Sequence, residues 1–296
     1  MSLPKLALLA ALLVVNVAFI AAWVRCRRTH TQRQRPTAGD VLIGFVTDFG
    51  DALGIGSFAP TTALYKLRGS PADELIPGTL NIGHNSAAFS ETLIFTSVVA
   101  VDPVLLASMV ASASIGAWLG AGVVGALPRR AIQIGMGLAL LIAAGFFIMA
   151  NLGAFPAGGT AMALGGWRFG LAVSVNFLLG ALMSIGIGNY APSVVLLSLL
   201  GMHPLGAFPI MMGTCGIVQP VAGLSFMRSG RFAWGPALGL ALGGIFGVLL
   251  AVYVVKQLPL RVLRWGVIVV VSYAALSMLR SARGCAQPRP RATLAP

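Results

Sequence analysis

Acidic residues are scarce in this chain and then disappear: Asp40, Asp48, Asp51, Asp73, Glu74, Glu91 and Asp102 are all it has. Charge of either sign is thin, at 9% of residues against 57% hydrophobic. A soluble fold of this length needs a polar surface that such a composition does not provide. The three cysteines, Cys26, Cys215 and Cys285, are scattered and odd in number, without the paired spacing of a redox or metal motif. The three histidines, His30, His84 and His203, make no HExxH, so the ligand set of a membrane metalloprotease is missing. There is no G-x-S-x-G, CxxC or phosphate-binding loop either, which argues against a hydrolase and against a pump driven by its own ATP hydrolysis. The expectation is a protein that is no enzyme and needs neither cofactor nor metal.

What is abundant is apolar sequence, with 37 glycines and a mean hydropathy of +0.91. The formal charge of +13 comes from basic groups at Arg25 to Arg35, Lys66 and Arg68, Arg129 and Arg130, Arg228 and Arg231, Lys256 to Arg264, and Arg280 onward. All of them fall between apolar runs, as loops and anchors beside a bilayer do. No basic stripe interleaved with aromatics occurs, so no nucleic-acid partner is expected. The first run, Leu6 to Val24, is followed rather than preceded by its arginines, the reverse of a cleavable signal peptide. Residues 1–28 are therefore expected to form a retained, extra transmembrane helix with its arginine end in the cytoplasm, and 29–39 a polar linker.

Further apolar runs follow at Val41 to Leu67, Ile76 to Val101, Val104 to Leu127 and Ala131 to Asn151. After a glycine-rich connection at 152–168 come Phe169 to Leu200, Leu205 to Phe226, Trp234 to Val255 and Val262 to Leu279. At about 20 residues per crossing each is long enough to span, so the fold class is an all-α, polytopic membrane bundle. The Pro- and Arg-rich tail, 281–296, is expected to be disordered.

One phrase is written twice. GIGSFAPT, Gly54 to Thr61, returns 132 residues later as GIGNYAPS, Gly186 to Ser193, and Pro77 falls on Pro209 at the same offset. LPRRAIQIG, from Leu127, returns as LPLRVLRWG, from Leu258, at an offset of 131. Two matches at nearly one offset predict two homologous repeats, 40–151 and 169–280. Gly54, Gly56, Gly186 and Gly188, with Pro60 and Pro192, then interrupt the first helix of each repeat. Freed amides cannot face lipid, so the two interruptions are expected to meet inside the bundle and line one polar pocket, whose half-helix N-termini favour an anion. Four crossings per unit leave the repeats parallel, whereas three plus a re-entrant segment invert them; charge counts leave both open.

VLIGFVTDFGDALGIGSFAPTTALYKL, then IPGTLNIGHNSAAFSETLIF and later LLSLLGMHPLGAFPIMMGTCG, resemble the sulfite exporter TauE/SafE family of bacterial permeases over about Asp40 to Leu279. The resemblance implies an inner-membrane, multi-pass carrier that moves sulfite, sulfonates or related small organic anions, generally outward. The family's glycine-rich signature falls on Gly54 and Gly56 in the first half and on Gly186 and Gly188 in the second. Ser57 and Phe58, or Asn189 and Tyr190, stand where further glycines are common, which marks a divergent branch.

Ionisable groups inside hydrocarbon cost roughly 2.5 to 3.5 kcal/mol on insertion scales and commonly mark pathways. Asp48 and Asp51, three apart, and Glu91 are the proton-coupling candidates. Asn81, His84, Asn85, Ala88 and Glu91 fall on one helix face. Gly54, Gly56, Ser57, Pro60, Asn81, His84, Gly186, Gly188, Asn189 and Pro192 are the candidate substrate-binding residues. Among the second half's polar residues, Asn176, Ser184, Tyr190, His203, Thr214 and Gln219 stand near them, with Gln219 able to satisfy a broken backbone beside Pro220. The expected partners are the lipid bilayer, a small anionic solute and protons. The alternative is a non-transporting membrane scaffold or assembly subunit.

Overall fold

The structure is a computed structural model that describes residues 3–29, 35–98, 101–186, 188–253 and 260–284. Among them it forms a bundle of α-helices: α1 (Leu3–Thr29), α2 (Ala38–Ala52), α3 (Phe58–Arg68), α4 (Ile76–Gly83), α5 (Asn85–Val98), α6 (Pro103–Ala126) and α7 (Arg129–Asn151). Then come α8 (Gly166–Met183), α9 (Tyr190–Leu199), α10 (Pro204–Ser229), α11 (Trp234–Tyr253) and α12 (Leu260–Gly284). Seven described helices are long and apolar enough to cross a membrane: α1, α6, α7, α8, α10, α11 and α12. The chain is thus a multi-spanning helical membrane protein. α8 begins inside the connection expected at 152–168, and α12 runs to Gly284, past the expected boundary at 280. Residues 285–296 and Lys256 lie outside the described residues.

α2 starts at a capping box. Thr37 accepts from the Asp40 amide at 3.2 Å and Asp40 accepts from the Thr37 amide at 2.9 Å, which satisfies two otherwise orphaned donors. The helix stops where Gly54 and Gly56 take φ of 86° and 87°, angles that side chains with a Cβ resist. α3 then runs back, so that Arg68 at its end meets Asp40 at the start of α2, 2.8 Å apart. The run Val41 to Leu67 is therefore a helical hairpin whose two ends share one face.

α8 and α9 make a second hairpin on the opposite face. Arg168, near the start of α8, donates to the Leu200 carbonyl at the end of α9 at 3.3 Å. His203 N donates to Ala161 O at 2.7 Å and holds the connection before α8 at the same level.

The first face gathers the basic residues. Lys66 reaches Asp73 at 2.7 Å and Ser281 at 3.1 Å, Gln133 reaches Asp73 at 2.6 Å, and Arg129 reaches Glu74 at 3.3 Å. Arg231 donates to the Leu127 carbonyl at 2.6 Å. These contacts place the ends of α3, α6, α10 and α12 and the starts of α4, α7 and α11 on this arginine-rich face. From there α4 and α5 together carry the chain to the other side, where Asp102 caps α6 by accepting from the Leu105 amide at 2.7 Å. By this path each hairpin, α2–α3 and α8–α9, ends on the face where it began.

The principal helix pairs are α2 with α11, α7 with α12, α8 with α6, and α10 with α6, α5 and α4. Missing side chains let two of these pairs close up. A Cβ on Gly243 would fall on the Val41 carbonyl of α2, and one on Gly180 would fall on the Ala113 carbonyl of α6. α1 is anchored by a buried amide: Asn16 donates to Gly216 O at 3.2 Å and accepts from Asn85 at 3.0 Å. Gly216 lies four residues before Pro220, so its carbonyl is the one a proline leaves without a helical donor.

Candidate functional site

The tips of the two hairpins meet inside the bundle. The first tip spans residues 53–57; the second includes Gly186, with φ of 103°, and Gly188. The place a Cβ would take on Gly188 is 3.9 Å from Phe58 Cβ, and on Gly186 it is 3.9 Å from Thr62 Oγ1 and 3.8 Å from Leu80 and Met136. Only the first three glycines of the repeated phrase, Gly54, Gly56 and Gly186, need positive φ. Gly188 does not, and a Cβ there would stand in ordinary contact with Phe58.

Each tip launches a short helix toward its own face, α3 from Phe58 and α9 from Tyr190, with Pro60 or Pro192 as the third helical residue. The first amides of a helix have no partner within it, and their dipoles sum to a partial positive charge. Two such N-termini pointing at one place inside an apolar bundle form a region of positive potential without any cationic side chain. The space between the tips, however, is only about 40 Å³, and Phe58, Phe146, Phe147 and Ile142 contribute to its wall beside Gly56, Gly188 and Pro192. Aromatic side chains occupy what was expected to be an open polar pocket, Phe58 itself standing where the resembled family favours glycine. A larger apolar groove of about 760 Å³ runs from Ile55, Gly56 and Pro60 between α2 and α12.

The polar groups lie just beneath the first tip. Ser57 donates to Asp51 Oδ2 at 2.5 Å, which ties the tip to the last turn of α2. Asp48, fully buried, has its Oδ1 2.7 Å from His84 Nδ1, and its Oδ2 lies against Gly244 of α11, a residue whose missing side chain makes the room. The His84 ring stands 5.8 Å from the Phe58 ring, so the pair reaches up to the tip contact. Glu91, 1% exposed, has Asp51 and Asp48 as electrostatic neighbours, and its Oε1 has no hydrogen-bond partner among the described residues. His84 Nε2, Asp48 Oδ2, Asn81 Oδ1, Thr61 Oγ1, Thr62 Oγ1 and Asn189 Nδ2 are likewise buried without a described partner. Buried polar atoms are ordinarily paired, so these groups remain available to water or a polar solute.

The sequence candidates separate into two groups. Asp48, Asp51, Ser57, His84 and Glu91 belong to the acidic region, with Asn81 bonded through Nδ2 to Pro77 O at 2.9 Å. Asn189, whose Oδ1 accepts from Ser193 at 2.7 Å, opens the second tip. Asn176 and Ser184 instead bond the α6 backbone at Met109 and Ala117, at 2.7 and 3.1 Å, and hold the helix crossing. Thr214 returns its hydroxyl to Ile210 O at 2.6 Å. Gln219 does not supply the backbone repair expected of it; Asn16 does. The side chain of Tyr190 lies outside the described residues. Thr61 and Thr62 were missed, although the TT after AlaPro occurs only in the first copy of the phrase and could have drawn attention to them.

No family model, no curated protein and no solved structure matches the chain. Among the described residues no group of three His, Cys, Asp or Glu could hold a metal ion.

Proposed function

We propose that this protein is a secondary carrier of small anions, coupled to protons and working as an exporter in the inner membrane of a bacterium. We further propose that it is built from two repeats, as its resemblance to the TauE/SafE permeases implies, and that the second is inverted relative to the first. The observation that carries this reading is the meeting of two helix N-termini, of α3 and α9, at Gly56, Phe58, Gly188 and Pro192 inside the bundle. Discontinuous helices that aim their positive ends at a central site are a recurrent way to bind an anion in a membrane.

The repeat reading is supported by the packing. Shifting α2 and α3 by 132 residues falls on α8 and α9, and shifting α6 and α7 falls on α11 and α12. The pairs α2 with α11 and α8 with α6 then exchange roles, as a two-fold relation requires. Because each hairpin returns to its own face, three crossings separate the two hairpins, and the second copy is upside down. Basic residues concentrate on the face of α2 and α3, which the positive-inside tendency assigns to the cytoplasm.

Asp48, Asp51 and Glu91 suit proton coupling. Ionised carboxylates beside the tips repel an arriving anion, and a proton taken up there removes the repulsion, so protonation would gate anion binding. His84 links this acidic region to the tip through Asp48. Phe58 separates the N-termini in the present conformation and would withdraw to admit solute, with the two hairpins moving relative to each other.

The test is flux of sulfite and small sulfonates into proteoliposomes under an imposed pH gradient. Native protein is expected to carry them, and Gly188→Leu, which drives a side chain into Phe58, to abolish flux while the protein still folds and inserts. Absence of anion flux in native protein would refute the carrier reading and favour a scaffold. Flux undiminished in Gly188→Leu would refute the tips as the site.

A further inference from the structure

A second concavity lies away from the hairpin tips, at the arginine-rich face between the end of α1 and the start of α11. Its volume is about 410 Å³, within the range of small-molecule sites, and it is lined by Ile20, Trp23, Val24, Arg27, Arg35, Trp234 and neighbouring Pro36 and Leu238. The lining is divided by height. Ile20, Val24 and Leu238 offer an apolar wall toward the bilayer core, and Arg27 and Arg35 stand at the water side. Trp23 and Trp234, their rings 5.9 Å apart, lie between them, at the level where tryptophan gathers in membrane proteins.

The charges here are not consumed internally. Neither arginine makes an ion pair among the described residues, and no acidic side chain lines the concavity. Asp40, which opens the neighbouring α2, is already held by Arg68 at 2.8 Å. Two guanidinium groups above an apolar wall match a phosphodiester above acyl chains.

We propose that this concavity is a binding site for an anionic phospholipid, with the phosphate held by Arg27 and Arg35 and the glycerol and upper acyl chain against Trp23 and the apolar wall. A soluble phosphate compound would use the arginines but leave Ile20, Val24 and Leu238 unused. A zwitterionic lipid would bring its own cation toward two arginines. Basic residues near a membrane surface each contribute about 1 kcal/mol toward anionic lipid, so two give a preference of about thirtyfold over a zwitterionic lipid.

The site carries its own fluorescent reporters. In the full chain, Trp118→Phe, Trp167→Phe and Trp265→Phe remove the other tryptophans, all of them exposed on the bundle surface. Quenching of Trp23 and Trp234 is then read in phosphatidylcholine nanodiscs containing a minor fraction of brominated lipid. Brominated phosphatidylglycerol is expected to quench far beyond its share of the bilayer, and brominated phosphatidylcholine only in proportion to it. Arg35→Gln, in the exposed segment before α2, should lower the preference about fivefold, and the Arg27→Gln, Arg35→Gln pair should abolish it. Helicity by circular dichroism verifies that each variant is folded; if the pair fails this check, Arg35→Gln alone decides. Equal quenching by both lipids in the arginine-containing protein would overturn the proposal. So would a preference that survives the arginine substitutions, or one that free glycerol phosphate displaces as well as lipid does.

Discussion

Adding one methyl group at Gly243 should damage the protein more than any exposed substitution of similar size. α11 crosses α2 through Gly239, Gly243 and Gly247, and a Cβ on Gly243 would strike the Val41 carbonyl and come within 2.7 Å of Phe45 N. These are backbone atoms of a capped helix and have no rotamer to retreat into. Overpacking a well-filled site costs about 1 to 3 kcal/mol, and backbone opposition belongs at the upper end. The control is Gly145→Ala on α7, where nothing lies within 4 Å of the new atom. There alanine should gain about 0.5 to 1 kcal/mol from helix propensity. Gly243→Ala gains the same propensity, so the two variants should differ by the overpacking cost alone, up to about 3 kcal/mol, which separates their unfolding midpoints in detergent by several degrees. Because α2 carries Asp48 and leads into the first tip, flux in Gly243→Ala should fall as well. Equal midpoints for the two variants would refute the close backbone crossing of α2 and α11.

His84→Ala should destabilise more than Asp48→Asn, because it strips a fully buried carboxylate of its described partner, at a cost of about 3 kcal/mol. Comparing the two midpoints checks the order; Asp48→Asn should in addition blunt the response of flux to an imposed pH gradient. Asp40→Ala should cost about 1 to 2 kcal/mol by removing the capping box. Arg68→Ala, whose side chain is 35% exposed, should cost less than 1 kcal/mol, and denaturation of the two side by side tests the ranking. Topology reporters inserted at Gly69, Pro128 and Gly230 should all report one compartment, and those at Gly158 and Gly201 the other. A split between Gly69 and Pro128 would show that the first interrupted segment crosses after all.

The membrane class was legible because composition alone forbids a water-facing surface. The interruptions were legible too, since Gly54, Gly56 and Gly186 need angles that few other residues accept. Hidden was the direction the chain takes after each interruption. A hairpin and a kinked crossing share the same local glycine signal, and only the long-range pairing of Arg68 with Asp40 and of Arg168 with Leu200 distinguishes them. Asn16 was invisible for a similar reason: a single amide in a lipid-facing helix gains its purpose from Gly216 and Asn85, distant in sequence. The polar stripe from Asn81 to Glu91 was readable by period, but its partner Asp48 lies across the fold on another helix.

Under the proposed two-repeat relation, the lack of an acidic counterpart to Asp48 follows from how the helix crossings are filled. At an offset of 132, Asp48 of α2 corresponds to Gly180 of α8. Gly180 presses its backbone against Ala113 of α6, where a Cβ would meet the carbonyl oxygen and come within 2.7 Å of Ala113 Cα. Asp48 occupies the corresponding place against α11, but Gly244 there supplies the space, and the carboxylate oxygen lies where a Gly244 side chain would stand. One crossing uses its missing side chain to bring two backbones together, and the other uses it to admit a carboxylate. An acidic group at position 180 would confront a carbonyl oxygen with no histidine beside it, whereas Asp48 has His84 at 2.7 Å. Steric room and a ring-nitrogen partner must both be present before a buried carboxylate can be carried, and only the first hairpin supplies the two together.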